Sequence, residues 1–214
     1  MSSKRKAELT DRQARLAEVK GAQKKIERKR ALLIVALVGV LVLGLVGTTI
    51  AVVARAGAKS AGIEAAAKAP IDGVKTFTGL TREHVTGKVA YAQNPPTGGD
   101  HSAVDQNCGF YSASIVDENA VHSLEHGAVW ITHDPQLPAA QVDTLRAFAA
   151  KNSFVLVSPR DGLPSPVVAS AWGVQLQLGS ADDARLPVFL RAYVNGPQTP
   201  EPGAPCAGGV GTPG

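Results

Sequence analysis

The sequence predicts an α+β fold, in which a small sheet with two or three packed helices follows one long N-terminal helix that includes a transmembrane span. Two observations carry this prediction. Residues 31–54 contain no charged residue, whereas residues 127–159 show a strand pattern, a helical pattern and a second strand pattern in turn. A chain of 214 residues is long enough for one modest domain with appendages and too short for two full domains.

The apolar run at residues 31–54 reads ALLIVALVGVLVLGLVGTTIAVVA and holds 24 residues without a charge. At about 1.5 Å per residue, a helix of this length exceeds the roughly 30 Å hydrocarbon core of a bilayer. A cleaved signal peptide has a shorter apolar region, usually about 7 to 15 residues, before a small-residue cleavage site. The Ala-rich sequence after residue 50 leaves cleavage open, but the length favours an uncleaved anchor.

The charge distribution predicts the orientation of this anchor. Residues 1–30 carry eleven Lys and Arg against four Asp and Glu, whereas the remainder carries eleven against fourteen. Because basic segments stay in the cytoplasm, we expect the N-terminus inside and residues 55–214 outside the plasma membrane. The basic segment has no aromatic residue for base stacking, so attraction to anionic lipid explains its charge and nucleic acid is not an expected partner. The sequence identifies no protein partner.

Composition divides the chain into five segments. We assign residues 1–30 to a basic cytoplasmic helical arm, 31–54 to the transmembrane helix, 55–70 to a spacer of small and polar residues that ends before a proline, 71–196 to the extracytoplasmic α+β domain, and 197–214 to a Pro/Gly-rich tail without regular structure.

Within the domain, local patterns predict the elements in order. Short extended segments are expected at VKTFTGL and HVTGKVAY, followed by a rigid loop at NPPTGGDH. Next come a strand at GAVWITH, an amphipathic helix at PAAQVDTLRAFAAKN and a second strand at SFVLVSP. One or two strands are expected at SPVVASAWGVQLQL, and a last helix begins at Ser180 and stops at Gly196.

The stretch AVHSLEHGAVWITH at residues 120–133 holds three of the five histidines and is the strongest candidate site. His122 and His126 are four residues apart, so a helix would place both imidazoles on one face beside Glu125. Either His101, which ends the rigid loop, or His84 can supply a third imidazole. These five residues predict a site for Zn or Cu, with Glu125 as a ligand or as the partner that orients a histidine.

Two other interpretations of this stretch stay open. The string HSLEH satisfies the H-x-x-E-H pattern of zinc peptidases, although Gly127 ends the helix at once and the domain is small for a peptide-cleaving enzyme. Alternatively, the polar side chains bond local backbone groups in a metal-free structural or partner-binding domain. His133 is excluded from the site, since its offset from His126 along a strand points it to the opposite face. The sequence leaves enzymatic activity undecided.

Cys108 and Cys206 are the only cysteines, and an extracytoplasmic compartment favours one disulfide bond between them. Free thiols and thiolate metal ligands are the alternatives. We expect Asn94, Tyr111 and Trp172 to line a pocket at the site, although a tryptophan more often packs in the core.

Several motifs occur together and in order, namely NPPTGGDH, NCGFY, VHSLEHGAVWI, SPVVASAWG and PQTPEPGAPC. Over residues 70–210 the chain thereby resembles a bacterial family catalogued as domain of unknown function 3105. The resemblance implies a single-pass, N-terminally anchored envelope protein and supplies no activity. The matching positions are His84, Pro95, Pro96, Gly98, Gly99, His101, Cys108, His122, Glu125, His126, Gly127, Trp172 and Cys206. Asp105 departs from the family pattern, which tends to have an aromatic residue shortly before NCG.

Overall fold

The computed structural model describes residues 3–214, with side chains from Glu8 onward, and Met1 and Ser2 of the basic arm lie outside it. The described chain contains the helices α1 (Ser3–Ala66), α2 (Asp117–Glu125), α3 (Ala139–Lys151) and α4 (Arg185–Tyr193), and the strands β1 (Val74–Thr76), β2 (Gly109–Phe110), β3 (Val129–His133), β4 (Val155–Pro159), β5 (Val167–Ala171) and β6 (Val174–Leu178). The predicted α+β fold, with a long N-terminal helix before a small sheet, is confirmed.

Helix α1 is long and apolar enough to cross a membrane, and its apolar segment is not buried in the protein. Leu32 and Leu43, for example, are 70% and 73% exposed. Such a helix fits a membrane anchor, and a signal sequence near the N-terminus can meet the same criteria of length and composition. The described residues divide into two compact units, one up to Lys59 and the other from Ser60 to Gly214.

The six strands of the second unit form one mixed sheet in the order β1-β6-β5-β3-β4-β2. Strands β3 and β4 are parallel and connected by α3, which is the predicted strand, helix, strand unit. Strands β5 and β6 form an antiparallel hairpin around Trp172 and Gly173, so the segment predicted as one or two strands is two. Strand β2 adds a short parallel edge to β4.

Alternating side chains of β3 divide the buried residues into two clusters. Val129 and Ile131 pack with α3 and α4 in the larger cluster, whereas Trp130 packs with Val121 and Leu124 of α2 in the smaller one. This is the period-two pattern of a strand buried on both faces. Helix α2 is therefore packed against the Trp130 side of the sheet, and its last turn carries the histidines of interest.

The predicted start of the last helix was wrong. Helix α4 begins at Arg185 rather than near Ser180, and its N-cap residue makes no side-chain capping bond. The carboxylate of Asp183 instead accepts hydrogen bonds from the backbone N–H and the guanidinium of Arg185. These bonds are the main reason why the pKa of Asp183 lies below its ordinary value. The carboxylate of Asp183 thus stabilises a local turn, and the helix starts after it rather than at Ser180.

Candidate metal centre

Two segments that precede α2 carry His84 and His101 and pair with each other at an isolated parallel bridge. The backbone N–H of Val85 donates to His101 O over 2.8 Å, and His101 N–H donates to Glu83 O over 3.0 Å. The loop before His101 packs tightly, because a Cβ on Gly98 would lie 2.8 Å from Leu80 Cδ1 and 3.2 Å from the Trp172 ring. The two histidines are thereby fixed side by side by the main chain.

Helix α2 supplies His122 and Glu125 and stops immediately afterwards. Gly127 has a φ of +104°, and a Cβ at this position would collide with Asn195 Oδ1. A left-handed glycine after the last turn is a common helix terminator, and His126 becomes the C-cap residue. Both histidines and Glu125 therefore lie at the end of the helix where unpaired carbonyl groups favour positive charge.

Four side chains converge at this point, and we call His84, His101, His122 and Glu125 the His/Glu cage. One potential ligand atom from each lies within 4.8 Å of the others. The ring centroids of His84 and His122 are 4.9 Å apart, and each lies 5.0 Å from that of His101. His101 is fully buried and Glu125 is 2% exposed, whereas 46% of the His84 side chain is exposed. The cage has a buried interior and one exposed wall.

Hydrogen bonds to backbone carbonyls orient two of the imidazoles. His101 Nδ1 lies 2.8 Å from Gly99 O, and His122 Nδ1 lies 2.7 Å from Ser102 O. A carbonyl oxygen only accepts, so Nδ1 carries the proton in each ring. The neutral tautomer then leaves Nε2 with a lone pair, as in histidines that bind metals.

The carboxylate of Glu125 faces these nitrogens. Its Oε2 atom is 2.8 Å from His101 Nε2 and 3.9 Å from His84 Nε2. Despite the short distance, the contact with His101 does not have hydrogen-bond geometry, and Nε2 of His101 has no hydrogen-bond partner among the described residues. Burial lowers the pKa of His122, and the neighbouring histidines act in the same direction. Two facing acceptors repel each other, and either a proton or a metal ion between them would remove this repulsion.

The predicted site residues lie in two groups that share His122. The Nδ1 atom of His126 bonds to Pro205 O over 2.6 Å, and its Nε2 atom lies 3.7 Å from Glu201 Oε2. With His122 these residues form a second group whose ligand atoms lie within 4.8 Å of one another. Glu201 was missed because the Pro/Gly-rich tail was expected to lack regular structure. The predicted disulfide bond of Cys206 was nevertheless a signal that the tail, and with it Glu201, could lie near the site.

Trp172, one of the three predicted pocket residues, contacts the cage. The ring centroid of Trp172 lies 5.9 Å from that of His101 in an edge-to-face arrangement. Tyr111 donates its hydroxyl proton to Asn107 O, and Asn94 bonds to Gly162 O and to the guanidinium of Arg160. The polar groups of Asn94 and Tyr111 are therefore engaged elsewhere, and a pocket lined by all three residues stays a prediction. His133 belongs to neither ligand group and bonds its own neighbour, Asp134 O.

Cys108 and Cys206 are joined by a disulfide bond with an S–S distance of 2.02 Å. No free cysteine remains among the described residues, so thiolates are not available to the cage.

Asp105, the departure from the family pattern, accepts a hydrogen bond from the N–H of Val210 on its backbone oxygen and belongs to neither ligand group. Its position therefore helps to hold the tail rather than adding a carboxylate to the cage.

Glu118 of α2 forms hydrogen bonds with the segment that follows His84. Its carboxylate accepts hydrogen bonds from Val89 N–H over 2.9 Å and from Lys88 Nζ over 3.2 Å. Burial opposes ionisation, but these bonds outweigh it and the pKa of Glu118 lies below its ordinary value. We expect Glu118→Gln to lower the free energy of unfolding by about 1 kcal/mol at pH 7.

This stabilisation should depend on pH in a defined direction. Because the pKa of Glu118 is lower in the folded chain, its contribution is complete above the unfolded pKa and is lost as the pH falls through the folded value. Denaturant unfolding at several pH values should therefore show the two chains converging below about pH 4. A difference that stays constant down to pH 3 would contradict this assignment. The exposed Asp143→Asn change serves as the control.

A family model described as "Protein of unknown function (DUF3105)" matches residues 84–208. The match begins at His84 and includes the cage, the second group and both cysteines. No curated protein and no solved structure matches the chain.

Proposed function

The chain belongs to the DUF3105 family of proteins of unknown function, and from its site geometry we propose that it is a membrane-anchored domain that binds one divalent transition-metal ion. The ion would be Zn²⁺ or Cu²⁺, and its ligands would be His84, His101, His122 and Glu125. The domain would lie outside the cytoplasm.

The observation that carries this proposal is the environment of His101 Nε2. This atom is buried, has no hydrogen-bond partner among the described residues and lies 2.8 Å from a carboxylate oxygen. Buried polar atoms in proteins are nearly always paired. A single proton shared by His101 and Glu125 would satisfy only these two residues. A metal ion would also account for the convergence of His84 and His122 on the same point.

The dimensions of the cage suit a small ion after modest shifts of its side chains. Zn–N bonds of about 2.0 to 2.1 Å place the ligands of a tetrahedral ion about 3.4 Å apart. The cage atoms all lie within 4.8 Å of one another, so the wider pairs would move together, whereas His101 Nε2 and Glu125 Oε2, at 2.8 Å, would move slightly apart. His84 has the most exposed side chain of the four and is the ligand free to move inward.

The donor set selects the class of ion. The chain has one methionine, at its first position, and both cysteines are in the disulfide bond. The cage thus offers imidazole and carboxylate without a soft sulfur ligand. Imidazole-rich sites suit Zn²⁺ and Cu²⁺, whereas Cu⁺ prefers thiolate and thioether.

Two features support the proposed location. The excess of basic residues on the N-terminal side of the apolar helix favours a cytoplasmic N-terminus. A disulfide bond persists in oxidising compartments and is rare in the cytoplasm.

The test uses the full-length chain in detergent, stripped of metal and then dialysed against Zn²⁺ or Cu²⁺. We expect one bound ion per chain by elemental analysis. Glu125→Gln should reduce the amount of bound metal. The same substitution should raise the free energy of unfolding of the metal-free chain by about 1 to 3 kcal/mol, because the amide N–H can donate a hydrogen bond to His101 Nε2 and the carboxylate cannot. Glu118→Gln, in the same helix, is the matched control and should keep its metal.

The outcome separates this proposal from a metal-free structural domain. In such a domain Glu125 would form a buried ion pair with protonated His101, and Glu125→Gln would destabilise the chain. Loss of stability in this variant, together with negligible binding of both ions by the wild type, would overturn the proposal.

A further inference from the structure

The tail segment from Glu201 to Cys206, which we call the tail strap, is fastened over the end of α2. The backbone N–H of Glu201 donates to Glu125 O over 3.1 Å. Pro205 O accepts the Nδ1 proton of His126, and Cys206 is covalently joined to Cys108. These attachments hold the carboxylate of Glu201 at the site, although the surrounding sequence is rich in proline and glycine.

The strap completes a second set of potential ligands. Because Pro205 O holds the Nδ1 proton of His126, the lone pair of the neutral ring is on Nε2, which lies 3.7 Å from Glu201 Oε2. His122 joins this set, and its ring centroid is 4.4 Å from that of His126. The side chain of His126 is 9% exposed and that of Glu201 is 49% exposed. This set, which we call the strap subsite, therefore opens to solvent more than the interior of the cage does.

His122 belongs to both sets but has one nitrogen to offer. Its Nδ1 atom is committed to Ser102 O, so only Nε2 can bind an ion. One nitrogen lone pair serves one metal ion at a time. The cage and the strap subsite are therefore alternative positions for a single ion rather than two sites filled together.

We propose that the strap subsite is the entry point for the metal ion, which Glu201 and His126 capture from solvent and His122 passes to the cage. This inference rests on the proposed function. The ligand is a divalent transition-metal ion such as Zn²⁺, and the transfer is an exchange of ligands around one ion, without any change of oxidation state. The exposed carboxylate attracts the cation, and the shared imidazole links the two positions.

The experiment measures the rate and the equilibrium of Zn²⁺ loading separately. Metal-free full-length chain in detergent is mixed with Zn²⁺ held by a chromogenic chelator, and the loss of the chelator signal is followed by stopped flow. We expect Glu201→Gln to slow loading roughly 10-fold while it changes the final affinity less than about 3-fold. Glu201→Asp, which keeps the charge, should recover most of the rate, and Asp143→Asn should load like the wild type.

Each contrary result has a distinct meaning. Loading of Glu201→Gln at the wild-type rate would overturn the entry role and leave the cage intact as a metal site. An equal loss of rate and affinity would make Glu201 a ligand of the resting ion, and two ions per wild-type chain would contradict the shared position. A wild-type chain that binds no Zn²⁺ or Cu²⁺ would overturn the proposed function itself.

Discussion

Replacement of His122 by alanine should weaken the binding of Zn²⁺ by about a thousandfold, which is roughly 4 kcal/mol. His122 is the residue shared by the cage and the strap subsite, so its loss removes an imidazole from both positions at once. Loss of a residue that merely orients a ligand costs about 10- to 100-fold, and we expect the loss of a ligand to exceed this range. Competition with a chelator of known affinity measures the change in the full-length chain.

His133→Ala is the matched control for this experiment. His133 is also buried and also bonds a backbone oxygen through Nδ1. It belongs to neither group of potential ligands, so its removal should destabilise the domain without changing the affinity for metal. Equal weakening by both substitutions would mean that affinity follows stability and would remove His122 from the site.

Removal of the disulfide bond should have the largest effect on stability. The bond joins residues that are 98 positions apart, and closing a loop of that length restricts the unfolded chain. We expect Cys108→Ser combined with Cys206→Ser to lower the free energy of unfolding by about 2 to 4 kcal/mol. The free tail would also withdraw Pro205 O from His126, so Zn²⁺ loading should slow in the same variant.

Fluorescence during denaturant unfolding isolates this effect. The only tryptophans, Trp130 and Trp172, both lie in the unit from Ser60 to Gly214, so the signal reports on that unit and not on the apolar helix. Wild-type chain treated with a reductant should unfold like the double variant. An unchanged midpoint in both samples would show that the bond contributes nothing to stability.

Much of the fold was predictable because its signals are local. The strand, helix, strand unit of β3, α3 and β4 follows from hydrophobic periodicity within each element. The pairing of β1 with β6 depends on contacts between Val74–Thr76 and a strand about a hundred residues later, and no local pattern encodes it. Strand β2 has two residues, too few for any alternation to be visible.

The candidate site was predictable in composition but not in arrangement. The spacing of His122 and His126 correctly suggested neighbouring rings, which lie 4.4 Å apart. Spacing could not show that His126 caps the helix and turns toward the tail, because the partner of its Nδ1 atom is Pro205, far along the chain. Glu201 reaches the site through the path of the strap, which lacks the periodicity on which sequence interpretation depends.

The bridge between the segments of His84 and His101 has a consequence for how an ion could come and go. Small zinc domains unfold when the ion is removed, because the metal itself assembles their ligands. Here peptide hydrogen bonds hold two of the proposed ligands together, and helix α2, which carries the other two, packs against the sheet. Loss of an ion from the proposed cage would leave this scaffold in place, so we expect the metal-free chain to stay folded. On the proposed function, the domain could therefore exchange its ion repeatedly without unfolding.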